Sequence, residues 1–228
     1  MSSLPDTPQR WSAFFDVDGT LISIKSMFSF LDYLVEHLPS SATARLHTYR
    51  QTLQRMIADE QPREAINRFY YSIYAGLDVA WVQQLGRDWY AEVRLRGGLF
   101  FQRMLDEIRW HQQQGASTVL VSGSFEALLA PLAEELGISD VIAAPLETRD
   151  GLYTGQLTGL PTIGQGKADG VRAFTRQHHL QPGHCYAYGD DLSDIPMLES
   201  VGHPCMVNPD AQVRGICQQR NWNIIEAA

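Results

Sequence analysis

Several things are scarce in this 228-residue chain, and each scarcity removes a class of protein. Cysteine occurs three times, at Cys185, Cys205 and Cys217, with no CxxC pair and one left over from any pairing. That fits a reduced, cytoplasmic setting and packing roles for all three. Positive charge is short: 18 Lys and Arg stand against 26 Asp and Glu, a net charge of -8, which argues against a nucleic-acid binder and its basic face. No apolar run approaches a membrane span or a signal-peptide core, and Met1 to Gln9 is polar with two prolines, so no membrane association is expected. His178, His179, His184 and His203 lack metal-ligand spacing and read as structural or surface residues. No internal repeat or low-complexity segment is visible. What is plentiful is apolar side chain, 44% with 10% aromatic, enough to exclude disorder and to fill one large domain, or a core with a smaller inserted one.

Against that background the segment Phe14-Phe15-Asp16-Val17-Asp18-Gly19-Thr20 stands out. Two aspartates sit at alternate positions where an apolar run breaks into a glycine turn. On a strand this spacing sends both side chains to one face, at the C-terminal edge where open α/β sheets bind ligands. Such a pair holds a cation or does acid and nucleophile work; a plain Asp-Gly turn is the structural alternative.

From Ser26 to about Arg94 the apolar period is helical. Met27, Phe30, Leu31, Leu34 and Leu38, then Leu46, Tyr49, Leu53 and Met56, then Ile66, Phe69 and Ile73, then Val82, Leu85, Trp89 and Val93 mark four amphipathic helices, punctuated by Pro39, Pro62 and Gly76. Four helices with no strand between them predict an inserted bundle lying over the strand end, with Phe69, Tyr70, Tyr71, Tyr74, Trp81 and Trp89 as its core. After Gly97-Gly98 helices and strands alternate, the pattern of a parallel sheet with covering helices. Helices are predicted over Leu99–Gln114, from Phe125 to Leu136, over Lys167–His178 and over Ser193–Glu199, and strands over Ser117–Val121, near Val141-Ile142, over His184–Tyr188 and over Pro204–Val207. Asp150-Gly151 reads as a hairpin turn, and a terminal helix and strand complete the chain. The fold class is therefore α/β: a Rossmann-like parallel sheet formed by 1–22 and 96–228, with a helical cap over 23–95.

Polar signals gather where these strands end. Asp16 and Asp18 follow the first, Ser122-Gly123 the second, and Gly189-Asp190-Asp191-Leu192-Ser193-Asp194 a later one, while Lys167 opens a helix after Ile163-Gly164-Gln165-Gly166. Loops at the C-terminal ends of parallel strands share one rim. Singly, Ser122 reads equally as a helix cap, the Gly-Asp-Asp run as a capped turn and Lys167 as a solvated lysine; together, in this order, they read as one site. Four aspartates on one rim would repel any anionic ligand, so positive charge is needed there, from Lys167 and from a hard divalent ion. Oxygen-only ligands favour Mg²⁺ over zinc.

These segments resemble the four motifs of the haloacid dehalogenase superfamily of phosphohydrolases, in its phosphoserine-phosphatase-like branch, whose helical cap follows the first strand. Asp16-Val17-Asp18-Gly19-Thr20 looks like the first motif, Val121-Ser122-Gly123-Ser124-Phe125 the second, Lys167 the third and the Gly189–Asp194 run the fourth. The resemblance implies that Asp16 is the nucleophile and Asp18 the general acid and base. It implies Mg²⁺ held by the Asp16 carboxylate, the Asp18 backbone carbonyl and Asp190. Thr20, Ser122, Gly123 and Lys167 would serve the phosphoryl group, with Asp194 orienting Lys167 or a metal-bound water.

One position departs from that branch. Where phosphoserine phosphatases carry a glutamate that reads the substrate's amino group, this chain has Lys25. A cation there repels an ammonium and attracts an anionic group, unless Lys25 simply points to solvent. Arg55, Arg63 and Arg68 are candidates to read a substrate carboxylate. The expected activity is a Mg²⁺-dependent phosphomonoesterase acting on a small phosphorylated metabolite other than phosphoserine. A phosphotransferase sharing the aspartyl-phosphate, and a silent binding module, are the alternatives.

Overall fold

The computed structural model describes residues 10–39 and 43–227; Met1 to Gln9, read above as a polar stretch, lies outside them. Strand β1 (Ser12–Phe15) is buried along its whole length and runs parallel to both neighbours. One is β2 (Ser117–Val121), the other β6 (Tyr186–Gly189). With β3 (Asp140–Ile142), β7 (His203–Val207) and β8 (Asn223–Ile225), the sheet has the order β3-β2-β1-β6-β7-β8, parallel throughout. Phe15 pairs with Leu120 on one side and Tyr188 on the other, so three strands end level and their following loops meet. The chain order reverses at β1, which places its C-terminal end at the crevice of the sheet.

Period-two alternation divides the core between the faces. Phe14, Val119, Val121, Ala187 and Met206 pack on one face with Val171, Met197 and Val213. These come from helices α7 (Gln165–Gln177), α8 (Ile195–Leu198) and α9 (Ala211–Arg220). Ala13, Phe15, Leu120 and Tyr188 face the other way, towards Met104 and Ile108 of α5 (Gln102–Gln113). All three cysteines are buried and unpaired.

Four helices fill the interval after β1: α1 (Ser26–His37), α2 (Thr43–Ala58), α3 (Arg63–Tyr71) and α4 (Val79–Leu95). They share a buried cluster with α6 (Glu126–Leu136), where Phe125 meets Phe30, Tyr71 and Tyr74 at ring-centroid distances of 6.2, 5.7 and 4.9 Å. Helices α4 and α6 cross so closely that a Cβ on Gly86 would lie 2.2 Å from the Ala127 carbonyl oxygen. Tyr70, Tyr71, Tyr74 and Trp89 are core residues as expected, but Trp81 is 37% exposed on the first turn of α4. The hairpin β4 (Leu146–Arg149) and β5 (Leu152–Leu157) forms its own antiparallel pair and is tied to the α3–α4 connection by Gly76 N–H to Tyr153 O (2.8 Å) and Tyr153 N–H to Leu77 O (2.9 Å).

Some boundaries move for local reasons. The helix expected from Leu99 starts at Gln102, because Leu99 O accepts from Ser23 N–H and Phe100 bridges to Ile22. Pro182–His184 winds into a 3₁₀ turn, which delays β6 to Tyr186. The helix expected over Ser193–Glu199 is a 3₁₀ turn, Leu192–Asp194, followed by the short α8.

Candidate active site

The turn after β1 is folded by its own backbone: Gly19 N–H donates to Ile22 O (2.8 Å), and Leu21 and Ile22 both donate to Val17 O. Gly19 has φ +101°, and a Cβ there would lie 2.2 Å from Asp190 Oδ2, so only glycine lets the two acidic loops approach. Asp16 emerges at the bottom of the site, 5% exposed. Its Oδ1 accepts from Lys167 Nζ at 2.5 Å and its Oδ2 from the Thr20 hydroxyl at 3.1 Å. Lys167, on the first turn of α7, also donates to Asp194 Oδ1 at 2.6 Å. Burial alone would lower the Lys167 ammonium, but Asp16 and Asp194 together push it above its ordinary value. Asp194 Oδ2 accepts from the backbone of Asp190 and Asp191, at 3.1 and 3.2 Å.

Asp18 accepts one bond, from Ser26 N–H at 2.9 Å, and its buried Oδ1 has no partner. Burial pushes its carboxyl up to about 6, against the Ser26 hydrogen bond and with help from Asp16. A buried, unpaired carboxyl oxygen is costly when charged, and such a group is placed to carry a proton. Burial raises Asp190 as well, and the neighbouring Asp16 adds to it.

A cavity of about 340 Å³ gathers Asp16, Asp18, Lys25, Ser122, Gly123, Lys167, Asp190 and Asp194 at one end. Segments far apart in sequence therefore converge as expected. Thr20 is the exception: expected to serve the phosphoryl group, it is fully buried beneath the carboxylates and its hydroxyl orients Asp16, reaching Asp190 Oδ1 at 3.5 Å. Lys25 lines the cavity, and its Nζ donates to the Asp18 carbonyl oxygen at 2.6 Å and lies 3.4 Å from Asp190 Oδ2.

The opposite wall comes from the cap: Met27, Phe28, Leu53, Ile57, Ile66 and Tyr70, with Asn67 and Arg63 as its polar members. Of the arginine candidates, Arg63 faces this cavity and pairs with Asp191, whereas Arg68 donates to Gly159 O. Two residues of α3 hold the site in a way the sequence does not indicate: Asn67 is not singled out there, and Tyr71 is expected only as bundle core. Asn67 Nδ2 (3.0 Å) and the Tyr71 hydroxyl (2.6 Å) both donate to the Gly123 carbonyl, fixing the loop after β2 from above. Both are buried; Tyr71 fits the apolar face of its helix, and nothing local marks the polar Asn67 as a contact to that loop.

Carboxylate oxygens of Asp16, Asp190 and Asp194 all lie within 4.8 Å of one another, and the Asp18 carbonyl faces the same point as Asp190, because one ammonium touches both. An all-oxygen donor set with a cation already drawn to it fits a hard divalent ion.

The sequence pattern of haloacid dehalogenase-like hydrolases matches residues 13–199, from β1 past the last acidic loop. The chain belongs to this family. A phosphoserine phosphatase of Mycobacterium tuberculosis is 31% identical, covering 93% of this chain and 70% of its own. A histidinol-phosphatase of Neisseria meningitidis is 29% identical, covering 93% and 97%. A solved structure from Bordetella pertussis, of unknown function, superposes with a TM-score of 0.85 at 28% identity, covering 96% of this chain and all of that one. This haloacid dehalogenase-like hydrolase thus resembles, at similar distances, relatives named for two different substrates.

Proposed function

We propose that the protein is a Mg²⁺-dependent phosphomonoesterase that attacks a small organic phosphate with Asp16. The observation that supports this most directly is the pairing of two unlike carboxyl groups at the floor of one cavity. Asp16 is held by Lys167 and Thr20, while Asp18 keeps an unpartnered oxygen and a raised pKa. Relatives named phosphatases support the phosphatase part of this reading.

The Asp16 carboxylate attacks phosphorus in line, the ester P–O bond breaks, and the phosphoryl group passes to the aspartate. Asp18 gives its proton to the departing alkoxide, then takes one from the water that hydrolyses the aspartyl-phosphate. Ser122, Gly123 and Lys167 bind the phosphoryl oxygens, and Asp194 keeps Lys167 charged and aimed. Mg²⁺, held by Asp16, the Asp18 carbonyl and Asp190, would supply charge neutralisation for the transferring group. The cap, residues 23–95, covers the core of 1–22 and 96–228 and keeps bulk water from the acyl phosphate.

The organic group of the substrate lies against Met27, Phe28, Leu53, Ile57 and Ile66. No carboxylate on that wall would hold an ammonium, and Lys25 stands at the edge, so phosphoserine is disfavoured. The reading as a cytoplasmic enzyme rests on three free buried cysteines; among the described residues no helix is long and apolar enough to cross a membrane. The deciding experiment is phosphate release from an aryl phosphate and from a panel of phosphorylated metabolites, with Mg²⁺ and with chelator. Full activity in chelator, or none on any member with Mg²⁺, overturns the proposal.

A further inference from the structure

The chain contains only two lysines among 228 residues, Lys25 and Lys167, against sixteen arginines, and both ammonium groups end on the acidic cluster. Lys167 is buried between Asp16 and Asp194. Lys25 is different: it immediately precedes α1 and its side chain is 59% exposed. An exposed lysine ordinarily keeps its head in water. Here Nζ turns inward, 2.6 Å from the Asp18 carbonyl oxygen and 3.4 Å from Asp190 Oδ2, and 3.0 Å from where a Cβ of Gly19 would stand.

Those two oxygens are the atoms that, with Asp16, are assigned above to a divalent ion. An ammonium and a metal ion cannot both use them, because a magnesium ion binds oxygen at about 2.1 Å and the two cations repel. The cluster also needs the charge. Asp16, Asp190 and Asp194 lie together with Asp18 beside them, and Lys167 compensates only part of that. Carboxylates this close repel one another, and a second cation beside them offsets that repulsion.

We propose that Lys25 is a tethered cation that holds the divalent-metal position in the metal-free protein and is turned out into the cavity when the metal binds. The proposal rests on the metal centre of the preceding section. Two consequences follow from mutual exclusion. Without metal the site already holds a second cation, its own lysine, so the metal has to displace an occupant and binds more weakly than the bare donor set would allow. The displaced ammonium, on a flexible four-carbon stem, enters the cavity it already lines, so the cavity gains a free cation facing the substrate only when metal is in place. Metal first, substrate second is then the favoured order for a substrate bearing an anionic group.

The scarcity of lysine makes this directly measurable. The intact protein is treated briefly with an amine-acylating reagent, with and without saturating Mg²⁺, and modification of Lys25 is followed by mass spectrometry, with buried Lys167 as the internal control. In parallel, Mg²⁺ affinity is measured by isothermal titration calorimetry for the natural protein and for Lys25→Met, whose exposed position spares the fold. Lys25 acylation should rise several-fold with Mg²⁺, tracking the calorimetric saturation curve, and Lys25→Met should bind Mg²⁺ about ten-fold more tightly. Metal binding with unchanged acylation overturns the displacement, and so does equal or weaker affinity in Lys25→Met. Absence of Mg²⁺ binding in both proteins removes the metal centre itself, and this proposal with it.

Discussion

Arg63 of the cap grips Asp191 of the core side-on, with Nη1 2.8 Å from Oδ1 and Nη2 2.9 Å from Oδ2. Nη1 also donates to the Ser193 hydroxyl at 3.2 Å. Asp191 in turn accepts from Ser193 N–H at 2.9 Å, closing the turn that follows Asp190. The first residue of α3 is thereby fastened to the loop that carries two of the acidic side chains of the site. Paired guanidinium and carboxylate geometry of this kind is directional, so it fixes where α3 sits over that loop.

Removing this fastening should therefore affect catalysis more than folding. Arg63 is exposed and Asp191 half-buried, and ion pairs at the surface contribute about 1 kcal/mol or less. Arg63→Ala is expected to melt within a few degrees of the natural protein yet lose about ten-fold in kcat/KM through a less closed cap. Thermal melts and steady-state kinetics on one aryl phosphate test both halves; an unchanged kcat/KM means the contact does not govern closure.

The two aspartates of the β1 turn should fail in different ways. Asp16→Asn removes the proposed nucleophile and is expected to abolish turnover with every substrate. Asp18→Asn keeps the nucleophile but can neither give nor take a proton, for a loss of roughly 10²- to 10⁴-fold. That loss should be smaller for aryl phosphates, whose leaving groups need less protonation, than for alkyl phosphates. Equal losses on the two substrate types would falsify the role of Asp18 as the acid.

Asp190→Ala should weaken metal binding more than it impairs the chemical step. Activity lost at low Mg²⁺ is expected to return in part as Mg²⁺ is raised, with a matching rise in the calorimetric dissociation constant. A deficit of constant size across the Mg²⁺ titration would remove Asp190 from the ligand set.

Buried on α5 against the sheet, His111 makes the protein sensitive to acid. Trp11 Nε1–H donates to its Nδ1 at 3.1 Å, which leaves Nε2–H to donate to the Tyr188 hydroxyl at 2.9 Å. Burial pulls the imidazole down to about 4. The folded pKa lies below the unfolded one, so the neutral ring's contribution is complete above the unfolded value near 6.5 and is lost as pH falls through that value towards 4. His111→Gln, which does not titrate, should show a flatter melting-temperature profile across that window, the natural protein losing on the order of 2 kcal/mol more. Parallel profiles would show that other groups dominate the acid response.

The parallel sheet and the meeting of Asp16, Asp18, Ser122, Lys167 and Asp190 were legible in the linear chain. Alternating helix and strand periods dictate a parallel sheet, and in such a sheet every strand delivers its following loop to the same rim. The four-helix insertion was legible too, because the change from period two to period 3.6 is local. Three things were decided only in three dimensions. Thr20 lies under the carboxylates instead of facing the cavity, because the turn at Gly19 brings Asp190 over it. The cap shares its aromatic core with α6, because α4 meets α6 at Gly86. Lys25 reaches Asp190 and Arg63 reaches Asp191, because folding brings these partners, 165 and 128 positions distant in sequence, alongside them. Periodicity says which face a side chain occupies; which partner it meets across the chain is set by the packing of whole elements, and no local pattern encodes that.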